Sequence, residues 1–181
     1  MAKEFVVFED GTPVLTSLRN PAYDADGRLI MVMPKIELKV KRLPHAEGLP
    51  LPAQATPSSA GLDLTAATDR PVSICPGWVT QIPTGICLEI PEGFVGLVFT
   101  RSGLAVKHQI GLANGVGVVD ADYRGEIFIC CENRSETVFT VKRGDRLAQL
   151  IVMPVPSVKI LEVEELSDTE RGENGFGSTG Y

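Results

Sequence analysis

Residues Gly111 to Phe128 read GLANGVGVVDADYRGEIF, and this stretch decides the fold. In Gly115-Val116-Gly117-Val118-Val119, β-branched residues alternate with glycines, a strand pattern that lets another backbone or a flat ligand come close. Asp120-Ala121-Asp122 supplies turn chemistry. Tyr123-Arg124-Gly125 then leads into a second apolar run, Glu126-Ile127-Phe128-Ile129-Cys130-Cys131. The pattern predicts a β-hairpin with an acid and an aromatic ring at its mouth. There a carboxylate can take a proton from water and a ring can pack a sugar or base. The same residues also suit an ordinary hairpin whose Asp and Tyr are solvated.

The chain on either side keeps the same rhythm. From Pro71 to Phe99 the short apolar runs Val72–Cys75, Trp78–Ile82, Ile86–Ile90 and Phe94–Phe99 are cut by Pro-Gly, Pro-Thr-Gly and Pro-Glu-Gly, which predicts a meander or jelly-roll wall. Trp78 is read as packing. Further strands are expected at Lys35–Lys41, Gly61–Ala66, Glu136–Val141, Arg146–Met153 and Val158–Val163, and ahead of them at Glu4–Phe8, Pro13–Leu18 and Arg28–Met33. Only Leu104–His108 promises a short helix. A chain of 181 residues, 44% of them hydrophobic, is long enough for one domain with a real core. The expectation is an all-β barrel or sandwich carrying a small N-terminal β appendage.

Charge and composition exclude several partners. The net charge is −6 and no Lys/Arg block occurs, so the footprint of a nucleic-acid-binding protein is missing. No apolar run reaches membrane-spanning length, and the N-terminus MAKEFVVFEDG lacks a secretion-signal core, so a cytoplasmic protein is expected. Cys75, Cys87, Cys130 and Cys131 form no C-x-x-C pair and read as reduced thiols, the adjacent two on opposite faces of one strand. The sequon Asn133-Arg134-Ser135 carries no meaning in such a compartment. A polyanionic substrate of this acidic chain would have to be held by a few arginines, backbone N–H groups and a divalent metal.

Several places supply those parts. Arg101-Ser102-Gly103 opens the helix candidate, where backbone N–H groups, an arginine and a hydroxyl suit an anion, although Ser102 also suits a plain N-cap. Asp63 alternates with Leu62 and Leu64, so it and Thr65 take the opposite face; it is either an acid near a metal or an outward strand residue. Gln149 lies on a strand after the tight turn Gly144-Asp145-Arg146. The tail Gly175-x-Gly177-x-x-Gly180 is formally a dinucleotide fingerprint, but no strand closely precedes it and no helix can follow, which rejects that reading. What remains is a glycine-rich strip with Arg171, Phe176, Ser178 and Thr179: either a disordered tail or the parts needed to wrap a nucleotide. His45 is read as solvated and His108 as structural.

Ala60–Leu64, Thr100–Ala105, the Gly111–Phe128 stretch, Gly144–Leu150 and Arg171–Gly180, in that order, resemble the five motifs of the trimeric deoxyuridine triphosphate nucleotidohydrolases (dUTPases). The resemblance runs from about Lys35 to Tyr181. It implies a distorted jelly-roll or β-clip barrel, a homotrimer whose active sites draw on more than one subunit, and hydrolysis of dUTP to dUMP and pyrophosphate. Carried over residue by residue, it makes Asp120 the general base, with Asp122 anchoring the turn. It sets backbone groups of Asn114, Gly117, Val118 and Val119 against uracil and Tyr123 under the deoxyribose. Arg101, Ser102, Gly103 and Gln149 go to the phosphates, while Arg171, Phe176, Gly177, Ser178 and Thr179 form a closing tail. Mg2+ would be reached by Asp63 through water; Arg146 is left as structural support. Thr100 replaces a usual proline and Asn174 a usual glycine. The implied parts are residues 1–34, an appendage outside the resemblance that is open to a protein partner; 35–166, the barrel; and 167–181, a flexible lid. Two rivals are a deoxycytidine triphosphate deaminase of the same fold and a nucleotide-sensing trimer acting through residues 1–33.

Overall fold

The computed structural model describes residues 36–175 and, ahead of them, four short strands: β1 (Phe5–Val7), β2 (Pro13–Leu15), β3 (Ala22–Tyr23) and β4 (Leu29–Ile30). β1 pairs with β2 and β3 with β4, both antiparallel. Three of these fall inside the strands expected there; β3 was not expected, and the intervening turns lie outside the described residues.

Two antiparallel sheets make the body. One runs β12 (Gly117–Val119), β10 (Phe94–Thr100), β15 (Arg146–Pro154), β7 (Leu62–Thr65) and β6 (Ala53–Gln54). The other runs β11 (Ile110–Leu112), β13 (Glu126–Asn133), β9 (Val79–Glu89) and β5 (Lys39–Arg42). A ladder of β8 (Val72–Ile74) with β14 (Phe139–Val141) flanks them. Alternate residues of both sheets face inward, and Leu64, Ile82, Leu88, Ile110, Ile129, Leu147 and Leu150 are buried in one core. The fold is all-β with one helix, α1 (Ser102–His108), and the sheets form a jelly-roll-like sandwich rather than a closed barrel. Among the described residues no helix is long and apolar enough to cross a membrane.

The expected hairpin is not a hairpin. β12 pairs with β10, whereas β13 pairs with β11 and β9, so Asp120–Gly125 crosses from one sheet to the other. Each arm buries its inward residues, Val119 and Ile127, from opposite sides of the core, and that packing outweighs pairing between sequence neighbours. The Pro83-Thr84-Gly85 break is also absent, since β9 runs through it as one bulged strand. Gly85 sits at φ +66, where a Cβ would stand 2.2 Å from the Ala46 Cβ, and its amide donates to Glu126 Oε1 at 2.7 Å.

Other expectations also shift. Val158–Val163 forms no strand, Trp78 is 67% exposed rather than packed, and Thr65, on the face opposite Leu64, is buried as Leu64 is. Asn133 is fully buried, its amide donating to Ile74 and Thr137 carbonyls at 2.8 Å each, which excludes the sequon as a modification site. All four cysteines are free; Cys131 is buried and Cys130 half-buried, as opposite faces of a strand require.

Candidate active site

The crossing between the sheets opens a cleft of about 310 Å³. Asn114, Gly117, Val118, Val119, Asp120 and Tyr123 all line it, so the residues expected to read base and sugar come together. Val98 and Leu112 add apolar lining, and Gln81 and Cys130 line it too. The loop carrying the acid is braced. Tyr123 N donates to the Asp120 carbonyl at 3.2 Å, and Arg124 Nη1 donates to the carbonyls of Ala121 (2.6 Å) and Tyr123 (3.0 Å). The Asp120 side chain is exposed at the cleft and, among the described residues, engages no hydrogen-bond or ion-pair partner.

Tyr123 folds back on its own turn. Its hydroxyl donates to the Glu126 carbonyl at 3.0 Å, and the ring lies where a Cβ on residue 125 would stand 2.4 Å from the hydroxyl oxygen, so a side chain there would displace the ring. Glu126 is itself anchored: Oε1 takes the Gly85 amide and lies 2.9 Å from His45 Nε2. His45 is therefore a partner of the crossing loop, not a solvated side chain.

A second recess, about 480 Å³, includes Arg101, His108, Lys142, Asp145 and Arg146. Asp63 stands beside it with both oxygens engaged, Oδ1 to Arg101 Nε and Oδ2 to Arg146 Nη1, each at 2.9 Å. Two guanidinium groups on one carboxylate leave a net positive cluster suited to an anion. Arg101 is the N-cap of α1 without a side-chain cap bond, so Ser102, one residue inside, is not the cap; both Ser102 and Gly103 are exposed. His108 contacts the Phe139 ring at 5.4 Å, the structural role expected of it. Gln149 pairs in register with Asp63 on β7 and Phe99 on β10, and its amide donates to the Thr100 carbonyl at 3.2 Å. Burial pushes the Cys131 thiol up to about 12, helped by Cys130 beside it.

The two recesses share no lining residue, and Arg171 lines neither; its Nε donates to the Asn174 carbonyl at 3.0 Å. Phe176, Gly177, Ser178 and Thr179 lie outside the described residues. Arg146 was passed over in the sequence because its link to Asp63 exists only once β15 pairs with β7, and no local pattern signals it.

The half-apolar cleft suits a flat ring and the cationic recess suits an anion, the two parts of a nucleotide. Known proteins make the class specific. The dUTPase family model matches residues 47–180, and the chain belongs to that family. A deoxyuridine 5'-triphosphate nucleotidohydrolase of Beijerinckia indica is 52% identical over 144 residues, 78% of this chain and 90% of the relative. One from Wolbachia pipientis is 48% identical over 148 residues, 81% and 97% respectively. Among solved structures, a Staphylococcus bacteriophage 80alpha dUTPase with dUpNHpp matches with TM-score 0.74 at 28% identity, covering 81% of this chain and all of that one.

Proposed function

We infer that the protein hydrolyses dUTP to dUMP and pyrophosphate, a dUTP diphosphatase that clears dUTP from the nucleotide pool and supplies dUMP for thymidylate synthesis. The observation that carries the reading is the gathering of Asp120, Tyr123 and the Asn114–Val119 backbone around one cleft, in a chain of this family. The deaminase rival gives way to that membership.

Uracil enters the cleft against Gly117 and Val118, with Tyr123 under the sugar. A backbone edge set for uracil leaves groups unpaired against cytosine, a penalty of up to about 10⁴ to 10⁵ in such sites. Asp120 takes a proton from the water that attacks the α phosphorus, the bond to the β-phosphate oxygen breaks, and pyrophosphate leaves. Arg101, with Ser102, Gly103 and Gln149, holds the phosphates. Arg171 meets the γ phosphate, and Phe176 to Thr179 cover the nucleotide.

A divalent metal, which we take to be Mg2+, accompanies the triphosphate. Asp63 fits it only through water: each oxygen already holds an arginine yet keeps a lone pair, and among the described residues no trio of His, Cys, Asp or Glu forms a cage. Such an ion neutralises phosphate charge.

Separation of the two recesses within one chain, and the bare apolar arm after β15, support a homotrimer in which copies complete one another's sites. We also propose the boundaries 1–34, 35–166 and 167–181, because relatives matched over nearly their whole length leave about a fifth of this chain over. The cytoplasm is the compartment that the free thiols suit. Incubation with dUTP, dCTP and UTP, products resolved by chromatography, tests the reading: dUMP and pyrophosphate from dUTP alone are expected, and deaminated product from dCTP would overturn it.

A further inference from the structure

Thr100, the last residue of β10, touches both halves of the site. Its chain continues into Arg101, its carbonyl accepts the Gln149 amide at 3.2 Å, and its Oγ1 accepts the Leu112 N–H at 3.1 Å. The last bond is specific. Ala113 N donates to Cys130 of β13, so the amide one residue earlier, on edge strand β11, points away from that sheet. Leu112 is 3% exposed and lines the cleft, which leaves its N–H dependent on the Thr100 hydroxyl. Leu112 also roots the turn that bears Asn114: its carbonyl accepts the Gly115 amide at 3.0 Å, and the Asn114 carbonyl accepts Val116 N at 2.7 Å.

We propose that Thr100 is a positioning residue for base recognition, its hydroxyl holding Leu112 and the 113–116 turn in the conformation that receives the base. Without the hydroxyl the buried amide recovers a partner by lifting the turn toward water, and a ligand must then draw it back, so the loss falls on binding of the base half. The proposal rests on the dUTP reading of the cleft.

The test compares T100V, which keeps shape and removes the acceptor, with T100S, which keeps the hydroxyl. In the full chain T100V should raise KM for dUTP and Kd for dUMP roughly 5- to 50-fold. kcat and inhibition by inorganic tripolyphosphate should change less than about threefold, and T100S should restore the parental values within about threefold. Parental dUMP affinity in T100V, or equal weakening of dUMP and tripolyphosphate, overturns it. Should T100V not accumulate folded, T100A against T100S carries the same contrast. A parent chain that fails to cleave dUTP sinks the activity reading instead. Hydrogen exchange at the Leu112 amide, expected at least about tenfold faster in T100V and parental in T100S, still decides whether Thr100 holds the turn.

Discussion

Residues 111–133 and 155–175 both carry β-branched and apolar residues, yet they end in opposite states. Ile127, Ile129 and Cys131 are 3%, 1% and 1% exposed, while Val158, Ile160 and Leu166 are 78%, 89% and 87% exposed in a segment that forms no strand. Alternation makes a strand only where another backbone takes its N–H and C=O groups. The first segment finds β10 and β9 elsewhere in the chain; the second pairs with no strand among the described residues, and its apolar side chains stay exposed.

The largest effect is expected at the cleft. Asp120→Asn should leave dUMP binding nearly intact and lower kcat by roughly 10² to 10⁴, read by steady-state and single-turnover kinetics. Retention of most turnover would remove Asp120 from the mechanism and leave the cleft a binding site only.

Truncation probes the other segment. A chain ending at Glu170 should keep its oligomeric state and dUMP affinity and lose most dUTP turnover, because Arg171 and the residues after it are gone. A chain ending at Pro154 should run as a monomer in light scattering. A trimeric 1–154 chain would show that the arm is not what joins the copies.

Gly85→Ala puts the bulge under β13 to the test. A left-handed backbone and the contact with Ala46 should together cost roughly 2–5 kcal/mol in denaturant unfolding. Deletions in the arm, by contrast, should leave the unfolding of a monomeric chain almost unchanged.

Tyr123→Ala should raise UTP hydrolysis relative to dUTP by roughly tenfold or more, since the ring no longer fills the space under the sugar. An unchanged ratio places sugar reading elsewhere.

The smallest effect concerns thiols. In the native protein Cys75, which is exposed, should react with a disulfide reagent, and Cys131 should stay silent. Because the folded Cys131 keeps its proton up to about 12 while an unfolded thiol loses it near 8.5, stability should fall as pH rises through that window and be untouched below it. Cys131→Ala should flatten that alkaline slope.

Much of the site was legible because its chemistry is local. Asp120, Tyr123 and the Gly117–Val119 backbone sit within seven residues, so their meeting in one cleft follows from chain connectivity. His45 was misjudged and the partner of Arg146 was not foreseen for the opposite reason: Glu126 and Asp63 lie 81 and 83 residues away from them. Thr100, noted only as a replacement for proline, acquires a role through Leu112, twelve residues on.

The sequence by itself determined the all-β class, nearly every strand between Lys39 and Pro154, the short helix and the residues that gather at the cleft, because side-chain alternation, Gly and Pro turns and residue chemistry act over a few residues. Which strands share a sheet was decided only in three dimensions. Burial of Val119 and Ile127 from opposite sides of the core separates two neighbours that sequence alone pairs, and the Gly85 bulge carries β9 through an apparent break. Strand pairing depends on distant partners and on the packing of a whole core, neither of which is written in a local pattern.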